Sequence, residues 1–121
     1  MEGEVMILKD IVELLEEATG LDAYPAFTGQ VEPCIVYEDF VVIDDGAKAI
    51  HTLNLRIIGE HMADIHEASQ NIRQAFCLWG EDSPIEGVTI CSQNGGGILW
   101  HSDVKRYHMI MYLQYITKGG L

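Results

Sequence analysis

Two stretches of this chain are apolar on both faces when laid out as strands, and that restricts the architectures open to it. In Ile35 to Ile43 one face carries Ile35, Tyr37, Val41 and Ile43, and the other carries Val36, Phe40 and Val42. Late in the sequence Tyr107, Met109, Met111, Leu113 and Tyr115 alternate with His108, Ile110, Tyr112 and Ile116. Successive side chains of a strand point to opposite sides of its sheet, so both sides of these strands need cover. Lys48 to Ile58 reads differently. There Leu53, Leu55 and Ile57 alternate with Thr52, Asn54 and Arg56, the pattern of a strand with one wet face.

The remaining elements follow from spacing and turn chemistry. Leu8, Ile11, Val12, Leu15 and Ala18 recur at three and four residues and predict a helix from Met6 to about Thr19, stopped by Gly20. A loop runs through Tyr24 to Pro33. Cys34 to Ile43 and Lys48 to Ile58 are joined across Asp44-Asp45-Gly46-Ala47, a strong hairpin signal, and both arms exceed the usual strand of about 5–6 residues. Such a hairpin is expected to project past its own sheet. A second helix is predicted from about Glu60 to Trp79 on the stripe Ile65, Ala68, Ile72, Ala75, Phe76 and Trp79, ended by Gly80. A short strand from Val88 to Gln93 is then broken by Asn94-Gly95-Gly96-Gly97, and Lys105 to Thr117 forms the last strand.

The order α-β-β-α-β-β places the chain, residues 1–121, in one α+β domain. Two helices packed on one face of a mainly antiparallel, roughly four-stranded twisted sheet leave the other face bare. Soluble monomers seldom expose a contiguous apolar patch of that size. A partner subunit on the open face resolves the conflict, with Val36, Phe40, Val42, Ile110 and Tyr112 at the contact. The competing architecture is a β-rich sandwich in which the second helix is misplaced. The three glycines predict a mobile loop from Gln93 to Asp103, ordered on a partner with Trp100 as its buried anchor and Gly95, Gly96 and Gly97 as its freely turning part.

Charge narrows the functions. Seven basic and nineteen acidic side chains give a formal −12, which argues against a basic face for nucleic acid. Up to Asp45 there are twelve acids and one base, a net of −11. No apolar run approaches the roughly 20 residues of a membrane span, and Met1-Glu2-Gly3-Glu4 is acidic where a secretory signal would be basic. Cys34, Cys77 and Cys91 form no Cys-x-x-Cys pair and read as small buried hydrophobes in a reducing compartment.

Chemistry-bearing constellations are weak. On a helix His61 and His66 stand about 140° apart and cannot share an ion. Asn94 to Gly97 lacks a Gly-Lys-Ser/Thr ending and a following helix, so it is no phosphate loop. His101-Ser102-Asp103 has the residue types of a triad, but neighbours in sequence do not converge. Trp100, Tyr107 and Tyr112 lack the interleaved bases of a base-stacking platform. The reading is therefore a non-enzyme with no catalytic residues, no metal and no cofactor. A metal-assisted hydrolase using His51, His101 or His108 is a distant rival.

The order of elements, the Pro33-Cys34-Ile35-Val36-Tyr37 strand after the first helix, the long acidic hairpin and the closing strand together resemble the tail terminator proteins of long-tailed phages, also described as minor tail or minor capsid proteins. The resemblance spans nearly the whole chain and is one of pattern. It implies a homohexameric ring on the head-proximal end of the tail tube that stops tube growth and meets the head connector. It also implies a virion location, synthesis in a host bacterial cytoplasm, and as partners the chain itself, the tail tube protein and the connector. DNA would pass through without specific binding, with no role for a membrane. Six copies of −12 would carry −72 around that passage, and Glu13, Glu16, Glu17, Asp44 and Asp45 are the acids expected to line it. The alternatives are a tail-completion or head-closure neck protein, or a small acidic binding module that dimerises through the open face.

Overall fold

Backbone geometry at Gly20 closes the first helix as its sequence predicts. The computed structural model describes residues 2–25, 33–76, 85–88 and 91–118. Helix α1 spans Glu2–Thr19, four residues earlier than the apolar spacing marks its start. Gly20 adopts φ 72° and donates its N–H to the Glu16 carbonyl at 2.8 Å. Only a residue without Cβ turns left-handed there at little cost.

Directly after it comes strand β1, Asp22–Pro25, where a loop was expected. It lies parallel to β2, Cys34–Asp44, with Tyr24 beside Val36. Four residues ending in proline carry no readable alternation, so this strand exists through its partner. The Glu16 carboxylate accepts the Ala23 N–H at 3.1 Å and ties the strand to α1.

The sheet then continues through β3, Lys48–Gly59, β5, Arg106–Lys118, and β4, Cys91–His101, with helix α2, Met62–Phe76, between β3 and β4 in the chain. Its order is β1-β2-β3-β5-β4, five strands rather than about four, with the β1–β2 pair parallel and the others antiparallel. The long hairpin does not project alone, because β5 flanks β3 from Lys48 to Gly59. The expected Trp79 and Gly80 end of the second helix lies outside the described residues.

Two irregularities change which way side chains point. Between Val41 and Ile43 the β2–β3 register slips by one residue, so Val41 faces His51 while Ile43 faces Ile50. One extra residue inverts the alternation beyond it. Ile43 therefore stands on the face opposite Ile35, Tyr37 and Val41, and not with them. The second slip lies between Gln93 and Gly96. Asn94 to Gly97 does not break the strand: β4 runs through it, with Gly96 opposite Met111 and Gly97 opposite Ile110. A Cβ on Gly96 would run into the backbone carbonyl oxygen of Ile110, and its φ is 145°. The glycine is there for close backbone approach, so the segment expected to be a loop is paired strand.

Both helices lie on one face. Ile11 and Leu15 of α1 and Ile65, Ala68, Ile72 and Phe76 of α2 pack with Ile35, Leu53, Leu55, Ile57, Met109, Met111, Leu113 and Tyr115 in one core. The second helix is present, which removes the β-rich sandwich. On the other face Cys34, Val36 and Ile58 form a small cluster under Tyr24. Val36 is thus covered within the chain and is not available at a subunit contact.

Candidate assembly surface

Alternation places Glu38, Phe40 and Ile43 of β2, Ile50, Thr52, Asn54 and Arg56 of β3, Ile110, Tyr112, Gln114 and Ile116 of β5, and Leu99 of β4 on the face away from the helices. Phe40 is 49% exposed and Tyr112 38%, while Ile110 is half-buried. Four of the five residues expected at a contact, Phe40, Val42, Ile110 and Tyr112, therefore remain accessible among the described residues. The middle of the face is polar, and Asn54 Oδ1 is buried without a hydrogen-bond partner among the described residues.

Trp100 stands on the helix side of β4, 51% exposed, with its ring 4.6 Å from that of Tyr107. It is fixed on a strand rather than carried on a glycine loop. The run Phe40-Val41-Val42-Ile43, all four exposed, was legible as apolar on both faces, yet strict alternation missed the slip that carries Ile43 to the open face.

The three histidines are not brought together. His51 lies in the core face, where its Nδ1 is 3.2 Å from Asp39 Oδ2 and its Nε2 3.0 Å from Thr117 Oγ1. Tyr115 donates its hydroxyl to the other Asp39 oxygen at 2.7 Å, and its ring stacks on His51 at 4.5 Å. Acid, imidazole and hydroxyl stand in the order of a catalytic triad, but the Thr117 residue is 3% exposed, so the arrangement serves as a buried strut. No three His, Cys, Asp or Glu side chains among the described residues are placed to hold a metal ion.

His101 and His108 pair on the open face instead, with ring centroids 4.0 Å apart. Burial, then the neighbouring His101 and Arg56, push the His108 pKa from 6.5 down to about 4, against a smaller opposing pull from Asp103. Neutral at pH 7, His108 can accept an N–H of Arg56 at Nδ1, 3.4 Å away. As pH falls the unfolded chain binds this proton first, so stability is complete above about 6.5 and is lost toward 4. His108→Gln is expected to flatten that acid limb in urea unfolding series between pH 7 and pH 4. An unchanged slope would show that His108 is not its source.

The acids expected to line a channel fall into two groups. Glu13 and Glu17 are exposed on α1, Glu13 lining the same shallow surface pocket as Tyr37, and Glu16 is occupied by the Ala23 N–H. Asp44 accepts from Gly46 N at 3.0 Å. Asp45 accepts from Lys48 N at 2.8 Å and Ala47 N at 2.9 Å, and those backbone bonds hold its carboxyl below the usual carboxylate range. From Tyr37 to Asp44 the strand covers about 23 Å at about 3.3 Å per residue. The hairpin tip and α1 therefore present separate acidic patches, and three of the five acids also hold local backbone. No helix among the described residues is long and apolar enough to cross a membrane.

No family model matches this chain, and no curated protein matches it. Among solved structures, a chain described as "Virion of native gene transfer agent (GTA) particle" has the same fold, with a TM-score of 0.68 over 94% of this chain and 93% of that chain, at 14% identity.

Proposed function

We propose that this chain is a structural protein of a phage-like virion, and within that class a tail-terminator-like subunit that forms a homohexameric ring, caps the tail tube and meets the head connector. The observation that carries the reading is the sheet face left without helices, on which Phe40, Ile43, Leu99 and Tyr112 stand exposed. Neighbouring copies in a ring would cover it. Support comes from the shared fold with a virion chain over nearly the full length of both. The −12 charge suits a ring through which DNA passes without sticking, since phosphates are repelled.

Native mass spectrometry of the full chain tests this. Six subunits, or co-assembly with a tail tube, is the expected result. A stable dimer would favour the small binding module, and a monomer at all concentrations would remove the ring. Phe40→Glu should give folded monomer, because it sets an unpaired charge in a dry contact. An outright unfolded variant would place Phe40 in the subunit's own core.

A further inference from the structure

Arg56 stands exposed on the sheet face away from the helices, with Ile110 directly beside it and Tyr112 diagonal to it. Its Nη1 meets His108 Nδ1, a neutral partner at pH 7, and it forms no ion pair among the described residues. Glu38 shares the face without reaching it. Other bases are answered within the chain: Arg106 pairs with Glu60 at 2.9 Å, and Arg73 donates to Gln93 at 2.9 Å. A guanidinium without its acid, flanked by apolar side chains, has the make-up of an interface centre, where Arg is enriched.

The other side of the sheet carries the matching deficit. A helix dipole favours acids in the first turn and bases in the last. α2 obeys, with Asp64 in its first turn and Arg73 in its last. α1 does not, for its last turn holds no base. Instead Glu13 and Glu17 stand exposed in the half of α1 nearer its negative end, one turn or about 6 Å apart along the axis. Like charges at that spacing destabilise a helix. Glu16 is held by the Ala23 N–H, and Lys9, one turn before Glu13, forms no ion pair with it.

We infer that Arg56 of one copy docks on the Glu13 and Glu17 carboxylates of the next, laying the open sheet face of one subunit over α1 of its neighbour. The inference rests on the assembly reading above and names the occupant of the open face. Each surface supplies what the other lacks. A guanidinium fork set between two carboxylates cancels their repulsion and places a cation toward the carbonyl end of α1. Ile110 and Tyr112 around it would keep water from the pair, as the rim of a hot spot does. Because the two surfaces differ, the contact is head to tail and closes into a ring, whereas a two-fold contact stops at a dimer. It also takes Glu13 and Glu17 out of the channel lining.

Charge reversal in the full chain tests the inference, read by native mass spectrometry, with circular dichroism as the check on folding. Arg56→Glu alone should weaken association about a hundredfold, since like charges then meet across the contact. Glu13→Arg with Glu17→Arg should do the same. Mixed in equal amounts, the two variants should recover the parent's oligomer with both kinds of subunit in equal number. The reversed surfaces then meet each other, and so do the native ones. A mixture that stays dissociated, or an Arg56→Glu chain that assembles like the parent, would overturn the pairing while leaving the ring in place. Recovery of Arg56→Glu by Asp64→Lys with Glu67→Lys would move the contact to α2 and overturn it as well. A parent chain that never oligomerises would overturn both readings. Should a reversal variant misfold, Arg56→Gln decides: association about tenfold weaker supports the pairing, and unchanged association overturns it.

Discussion

Gly96→Ala is expected to destabilise the subunit by about 3 kcal/mol, from backbone strain and overpacking together. The new methyl group would meet the Ile110 carbonyl oxygen and lie 3.3 Å from the Met111 Cα, so the obstruction is main chain that cannot rotate aside. The φ of 145° adds its own penalty for any L side chain. Gly97→Ala is the control. Nothing lies within 4 Å of its Cβ, and it should change stability by about 0.5 kcal/mol or less. Urea unfolding of the two variants side by side measures the difference. Equal stabilities would mean that β4 does not approach β5 as described.

A comparable loss is expected on dismantling the polar strut beneath the hairpin. Asp39 accepts from the Tyr115 hydroxyl and meets His51, which in turn meets Thr117. Asp39→Ala leaves two buried groups without their partner and should cost about 3 kcal/mol, since an unmade buried hydrogen bond costs about 1–3 kcal/mol. His51→Leu should cost about as much. Their double variant is expected to lose less than the sum by about 1–2 kcal/mol, because the second change removes a group the first had already stranded. Tyr115→Phe, which removes one bond and keeps the ring stack, should cost about 1 kcal/mol. Strict additivity in the cycle would dissolve the network into independent contacts.

The strong periodic signals located most of the fold. Both helices, the hairpin and the last strand lie within a few residues of where apolar spacing and the Asp-Gly turn put them. Cys34, read as a small buried hydrophobe, is 2% exposed. What escaped the sequence is what depends on a distant partner. β1 has only four residues and is a strand because β2 lies beside it. The slip at Val42 is invisible in a run of four apolar residues, since either parity buries something. Three glycines read as freedom, whereas Gly96 serves a close backbone approach to Ile110 and Met111. Of the candidate site, the open face was legible from Phe40 and Tyr112. The cover over Val36 was not, because it comes from Tyr24 in the unread strand.

The strand order has a consequence for the newly made chain. β3 pairs with β5 at sequence distances reaching from Gly59 with Tyr107 to Lys48 with Lys118, and β4 joins the sheet only through β5. Of the five strands β5 leaves the ribosome last. Until it arrives the sheet can hold only β1, β2 and β3, and β4 has nothing to attach to. The β4 edge of the sheet is therefore completed only by this late event. Until then the edge of β3 that β5 will cover stands open, and nascent chains crowded on one messenger are exposed to mispairing through it, so prompt docking of β5 protects the chain.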